Sequence, residues 1–198
     1  MIKTTQILMD EFKEYKDPKN KIRREVDSHR LFPLVKGLYE DRKDISPYLL
    51  SIHILNPSYL SFEYALSRYG MIPEMVFSYT SASFGKNKKK IYQNAFGTYS
   101  YRDVPDAAFP YGIKAINEDG YTYLLASKEK AICDTLYSLS PVANQKELEQ
   151  LLFENLRIDF DEFEKINKND VDFLATKYHS RNVTMLSKYL RRKHGNAD

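Results

Sequence analysis

Hydrophobic and polar positions in the first forty residues follow first a helical period and then a period of two. Apolar side chains recur on one side between Thr5 and Tyr15, which predicts a first helix. Asp17 followed by proline predicts the start of a second helix, which runs to about His29 and carries apolar positions four residues apart. Short apolar segments on either side of Gly37 then predict two strands joined by a tight turn.

The middle of the chain changes from helical to strand-like patterning. Helices are predicted over 46–55 and 62–69, the second of them capped by Ser61. Aromatic-rich segments with a period of two follow, and these are typical of strands. The predicted strands are 75–80, 91–96, 98–102, 112–116 and 121–126.

Helical periods return after the last predicted strand. Ser127 is predicted to cap one helix, and Asn182 is predicted to cap a last helix that runs through Lys193. The chain therefore predicts an α+β fold with an abbreviated winged-helix head, a central mostly antiparallel sheet with packed helices, and a helical C-terminal tail. We place the head at 1–45 and the α+β domain with its tail at 46–198.

Composition excludes several classes of protein but does not indicate a function. The 198 residues are 42% hydrophobic and 29% charged, which is ordinary for a globular protein. Cys133 is the only cysteine, so an intramolecular disulfide and a cysteine-rich metal site are excluded. No apolar run approaches ~18 residues, so we expect no membrane-spanning helix and a cytoplasmic protein.

The distribution of charge is more informative than its sum. The formal net charge is +3, which does not by itself indicate nucleic-acid binding. Six basic residues lie within 16–30 against three acids, and six more lie within 173–197, where there is no acid. Each segment has two interpretations, a solvated helix face or a surface for an anionic partner.

Signatures of catalysis are missing from the sequence. There is no phosphate-binding loop, no dinucleotide fingerprint and no nucleophile elbow, and the histidines lack metal-ligand spacing. Asp106 follows a proline as in some magnesium nucleases, but the nearest acid–lysine partner, at 128–130, lies on a predicted helix in the wrong order. We therefore expect no enzyme, no catalytic residue, no cofactor and no metal.

Several segments resemble a known family. They read KGLY at 36–39, NPSYLSFEYALSRYGMIPE at 56–74, FGTYSY at 96–101, FPYG at 109–112 and ASKEKAICDTLY at 126–137. Together they resemble the AbiEi-type antitoxins, the transcriptional-regulator half of type IV toxin–antitoxin and abortive-infection systems. The resemblance runs from about residue 19 to residue 137, and Lys128 stands where the family usually has proline.

The resemblance implies two activities. The N-terminal winged helix is expected to bind double-stranded DNA at the protein's own promoter and repress its operon. The C-terminal domain is expected to counter a nucleotidyltransferase-like toxin without forming a stable complex, and no membrane partner is implied. An alternative is a protein-interaction module whose degenerate head does not bind DNA.

Candidate DNA contacts follow from the basic segments. The helix at 18–30 would enter the major groove, the turn of the hairpin would touch the DNA backbone, and the last helix would add charge. The candidate residues are Lys19, Lys21, Arg23, Arg24, Arg30, Lys36, Arg191 and Arg192.

Overall fold

The head combines two helices with a small sheet. The computed structural model describes residues 1–195, with side chains through residue 192, so the side chain of Lys193 and all of Ala197 lie outside the described residues. The elements of the head are β1 (Ile2–Thr4), α1 (Thr5–Glu11), α2 (Pro18–Asp27), β2 (Phe32–Val35) and β3 (Leu38–Glu40). Strand β3 lies between β1 and β2 and is antiparallel to both. The predicted order of two helices and a hairpin is confirmed, whereas β1 was not predicted.

Helix α1 is shorter than the pattern predicts. It ends at Glu11, and the chain then turns, with the Tyr15 amide donating to the Phe12 carbonyl at 2.9 Å. Ile7 and Tyr15 are exposed, so the apolar positions between Thr5 and Tyr15 do not all face the interior. The early turn brings α2 back along α1, which lets the chain bury a small cluster at their contact: Leu8, Ile22 and Leu31.

Local signals set the bounds of α2 and of the hairpin. The Asp17 carboxylate accepts a hydrogen bond from the Asn20 amide at 3.1 Å and caps the helix as predicted. The helix ends near His29, whose φ of 57° is left-handed. Gly37 has a φ of 82° in the turn between β2 and β3, and its carbonyl accepts from the Thr5 amide at 2.9 Å. We call this hairpin the wing.

A six-stranded sheet forms the centre of the body. After α3 (Ser51–Ile54) come β4 (Tyr59–Leu60), α4 (Phe62–Arg68), β5 (Ser78–Ser83), β6 (Lys90–Asn94), β7 (Gly97–Asp103), β8 (Ile113–Glu118) and β9 (Tyr121–Ala126). The strand order is β6-β7-β5-β4-β9-β8. The pairs β6–β7, β5–β4 and β9–β8 are antiparallel, and β7–β5 and β4–β9 are parallel. The sheet is therefore mostly antiparallel, as predicted, with two parallel pairs.

One strand was not predicted, and the start of another was predicted wrongly. Strand β4 was not predicted, because two residues are too short for a period to be visible. Strand β5 begins at Ser78 and not at residue 75, and the side chains of Met75 and Phe77 before it are exposed. A segment that pairs with no strand has no buried face on which such side chains could pack.

The C-terminal part is helical, as predicted. Its elements are α5 (Lys128–Tyr137), α6 (Gln145–Glu149) with a π-helical continuation (Gln150–Asn155), α7 (Phe160–Glu164), α8 (Lys168–Tyr178) and α9 (Arg181–Gly195). The Ser127 hydroxyl caps α5 by accepting from the Lys130 amide at 3.2 Å. The prediction that Asn182 caps the last helix is wrong. Its buried side-chain amide instead donates to two backbone carbonyls, that of Leu136 in the last turn of α5 and that of Ser140 just after α5.

The head is joined to the body by packing as well as by the chain. Leu34 of β2 belongs to the large hydrophobic core of the body. The Asn94 amide of β6 donates to the Leu34 carbonyl at 3.2 Å, and the Tyr121 hydroxyl of β9 donates to the Glu40 carboxylate at 2.7 Å. Across residues 1–195, no helix combines the length and the apolar character that crossing a membrane requires.

Candidate nucleic-acid interface and a buried polar cluster

A groove between α2 and the wing carries three of the candidate DNA contacts. The groove has a volume of about 390 Å³, and Ile22 and Val26 provide part of its apolar lining. Lys19, Arg23 and Lys36 also line it, and all three side chains are exposed. The structure therefore brings two cations of α2, Lys19 and Arg23, together with Lys36 of the wing.

Only a weak ion pair engages these three cations within the described chain. The Arg23 guanidinium lies 4.0 Å from the Asp27 carboxylate, and the two side chains are 82% and 69% exposed. Pairs this exposed contribute little, because water and salt screen them. The charge of this groove is therefore available to an anionic partner.

A second concavity lies on the opposite side of α2. It has a volume of about 640 Å³ and lies between the end of α1 and α2. We call it the α1–α2 concavity. Arg24 lines it, is exposed, and forms no ion pair within residues 1–195. The other residues that line the concavity are Tyr15, Lys16, Asp17, Asn20, Lys21 and Arg30.

Two of the candidate DNA contacts in this concavity are paired within the protein. Lys21 Nζ and Arg30 Nε each lie 2.5 Å from the Glu25 carboxylate, and a second Arg30 nitrogen donates to it at 3.1 Å. The hydrogen bond from Arg30, followed by that from Lys21, lowers the pKa of Glu25 to about 2. Lys21 Nζ also lies 4.9 Å from the centre of the Tyr15 ring. The head thus has free cations and internally paired ones.

The C-terminal candidates lie in the helical tail. Arg191 Nε donates to the Asp172 carboxylate at 2.9 Å, and Arg192 donates to the Gln145 side-chain oxygen at 2.6 Å. Their helix, α9, packs against α5, α6 and α8. Arg191 and Arg192 therefore link helices of the tail, and their contacts are with the body and not with the head.

A buried polar cluster lies where α5, the sheet and α8 meet. Lys130 and Asp134 of α5 are both fully buried, with Nζ 3.5 Å from the carboxylate. The carboxylate accepts hydrogen bonds from the hydroxyls of Tyr59 at 3.0 Å, Ser61 at 2.6 Å, and Tyr178. Lys130 Nζ in turn donates to the Tyr178 hydroxyl at 2.6 Å. We call these five residues the Lys130 cluster.

Burial shifts the pKa values of three groups in this cluster. Removal from water lowers the pKa of Lys130 and raises the pKa values of Tyr59 and Tyr178, so both phenols stay protonated as donors. Ser61 was predicted to cap α4, but its hydroxyl makes no cap hydrogen bond there and serves Asp134 instead. Each buried charge therefore has hydrogen-bond partners, as buried charges require.

Three of the five segments that carry the family resemblance converge on this cluster. Lys130 Nζ donates to the Ala108 carbonyl at 2.7 Å, and the Phe109 ring lies 5.1 Å from the Tyr59 ring, centre to centre. Gly112, with a φ of 68°, packs against the Lys130 stem so closely that a Cβ atom would come within 2.9 Å of Lys130 Cβ. The blocks at 56–74, 109–112 and 126–137 are thus one contiguous structural unit.

The geometry offers no reactive group at the positions that the nuclease hypothesis would need. Asp106 is exposed in a turn, while Lys130 is buried and engaged by its neighbours. Burial raises the pKa of the Cys133 thiol, which disfavours the nucleophilic thiolate. Within the described part of the chain, no group of three histidine, cysteine, aspartate or glutamate side chains could hold a metal ion.

No family model matches this chain, and no curated protein is significantly similar to it. The likeness to AbiEi-type antitoxins therefore rests on the quoted segments.

Sequence reasoning missed two residues of these sites. Glu25 lies four positions after Lys21, so the spacing of a helical ion pair was available as a signal. Tyr178 lies 44 residues beyond Asp134, on a helix outside the resembling region, and nothing in the local pattern points to that contact.

Proposed function

We propose that this protein is a DNA-binding transcriptional regulator that acts as the antitoxin of a type IV toxin–antitoxin system. The observation that carries the proposal is α2, which presents exposed cations on two sides, next to a wing with a basic tip. Double-stranded DNA of the protein's own promoter is the proposed partner. The proposed place of action is the cytoplasm, and the proposed activity needs no catalytic residue, cofactor or metal.

The dimensions of α2 suit duplex DNA. A helix with its side chains is about 10–12 Å across, and the major groove of B-DNA is about 12 Å wide. With α2 in the groove, Lys19 and Arg23 on one side and Arg24 on the other can reach base edges or phosphates. Lys36 at the tip of the wing would contact the adjacent backbone, which fixes orientation and not sequence.

The antitoxin part of the proposal rests on the body. Three of the five resembling segments, at 56–74, 109–112 and 126–137, meet around the Lys130 cluster, which supports reading them as one three-dimensional unit. We propose that this unit supports a surface that counters a nucleotidyltransferase-like toxin without a stable complex. Rescue of cell growth, with the toxin co-expressed, is the direct measurement of this activity.

The DNA-binding part is tested by comparing two charge-removing variants. Binding to the protein's own upstream region and to random DNA is measured by a mobility-shift assay across salt concentrations. We expect Arg23→Ala with Arg24→Ala to abolish discrimination between the two DNAs. The matched control, Arg191→Ala with Arg192→Ala, should change affinity for both DNAs by the same factor, because those side chains contact the tail.

Two results would contradict this assignment. If the first variant keeps full discrimination, α2 does not read the sequence. If the unchanged protein binds neither DNA at low salt, the head is not a DNA-binding unit, and the protein-interaction module becomes the better hypothesis.

A further inference from the structure

The pairing of Glu25 divides the cations of α2 into two classes. The side chain of Glu25 is 10% exposed, while its partners Lys21 and Arg30 are 23% and 63% exposed. The two cations and the carboxylate together carry a net charge of +1, so half of the cationic charge is neutralised before any ligand arrives. Arg24, in the same concavity, has no such partner among the described residues.

Backbone contacts fix this arrangement. The Glu25 carbonyl accepts from the Arg30 amide at 2.9 Å and from the Leu31 amide at 3.2 Å, which closes the end of α2. That turn places Arg30 next to Glu25, which lies five positions earlier in the chain. Lys21 lies four positions before Glu25, so the helical period places it on the same side of α2. Both cations thus reach one carboxylate without strain on α2.

We propose that Glu25 is an internal counter-anion that keeps Lys21 and Arg30 from contacting DNA phosphates. This inference rests on the proposed DNA-binding function and refines it: Lys19, Arg23, Arg24 and Lys36 make the contacts. Glu25 acts through Lys21 and Arg30 and is therefore a positioning residue. A phosphate that approaches the α1–α2 concavity must compete with a carboxylate already in hydrogen-bond contact with both cations.

The consequence is a limit on the electrostatic, sequence-independent part of binding. Each phosphate contact contributes about 0.9 to the slope of log affinity against log salt. If two cations are kept from phosphates, the fall of log affinity with log salt is shallower by about 1.8. A regulator that must leave non-specific DNA to find one operator benefits from such a limit, because the specificity ratio rises when non-specific affinity falls.

The test measures this slope on a random duplex by fluorescence anisotropy. Glu25→Gln should steepen the slope by up to about 1.8, because both cations become free to contact phosphates. The matched control is Asp27→Asn, which makes the same charge change on the same helix but releases only the loosely paired Arg23. For this control we expect a change below about 0.5.

A triple variant keeps the test decisive if the single substitution weakens folding. Lys21→Gln, Glu25→Gln and Arg30→Gln together remove all three charges and leave none unpaired. We expect its slope to equal that of the unchanged protein, since neither cation contacts DNA there. Circular dichroism confirms that each variant is folded at the assay temperature.

The results separate failure of the inference from failure of the function. If the unchanged protein binds and the triple variant loses about 1.8 in slope, Lys21 and Arg30 already contact DNA and the inference is wrong. Equal slopes for Glu25→Gln and Asp27→Asn would also contradict it. If the unchanged protein shows no salt-dependent DNA binding, the proposed function fails and the inference with it.

Discussion

Replacing Asp134 by asparagine removes the negative charge of the Lys130 cluster and changes little in volume. In the native protein the carboxylate faces the ammonium of Lys130 at 3.5 Å and accepts three hydroxyl hydrogen bonds, two of them at 2.6 Å and 3.0 Å. An asparagine offers one acceptor oxygen and one donor group in place of two acceptor oxygens. The ammonium, fully buried, is then left without its counter-charge.

The expected cost is large because the side chains of Lys130 and Asp134 are both fully buried. Removing one partner of a buried ion pair destabilises a protein by about 3–5 kcal/mol. For a chain of this length, 1 kcal/mol corresponds to about 2–4 °C in the melting temperature, so Asp134→Asn should lower it by about 6–20 °C. Urea unfolding followed by circular dichroism gives the free energy of unfolding, with the slope as a check on two-state behaviour.

A double-mutant cycle shows whether the charge pair is the cause. Lys130→Met combined with Asp134→Asn removes both charges, and replacing a buried pair by neutral groups is often close to neutral. We therefore expect the double variant to be more stable than Asp134→Asn alone. If Asp134→Asn lies within about 1 kcal/mol of the unchanged protein and the cycle shows no coupling, the ion pair does not stabilise this fold.

Two further predictions concern the core and the head. Leu136 is fully buried in α5, so Leu136→Ala should cost about 2–5 kcal/mol in urea unfolding; an unchanged transition together with loss of toxin rescue would make this helix a functional surface. The pKa of Glu25 is lowered from 4.5 to about 2, so its pairing stabilises the fold fully above pH 4.5 and the effect is lost as the pH falls towards 2. Glu25→Gln should therefore unfold at lower urea than the unchanged protein at pH 6, and the difference should shrink below pH 4.5; a difference that is constant with pH would contradict the ion pairing.

Signals that act between neighbours in sequence were predicted well. Asp17 and Ser127 cap the helices that follow them, and Gly37 has a positive φ of 82° in the predicted tight turn. These features depend on a few adjacent residues, so the local pattern contains all the information they need.

Features that depend on distant partners were not predicted. Ser61 and Asn182 have the residue types of helix caps, yet each side chain bonds to a segment more than forty residues away. Strand β5 pairs in parallel with β7, and β6, which lies between them in sequence, is at the edge of the sheet beyond β7. No local period encodes this arrangement. Of the candidate site, the cations were predicted, but not which of them the fold would pair: Arg30 reaches Glu25 only because the chain turns at His29.

The seating of Leu34 in the core of the body has a consequence for how repression would respond to heat. The buried cluster that belongs to the head alone consists of three side chains, Leu8, Ile22 and Leu31, which is too small a core to keep the head folded by itself. The wing is held by the sheet through Leu34 and Tyr121, so loss of the body removes the support of the proposed DNA-binding surface. Operator release and melting of the sheet should then occur at one temperature, and a substitution deep in the body, far from any phosphate, would set the temperature at which the operon is expressed.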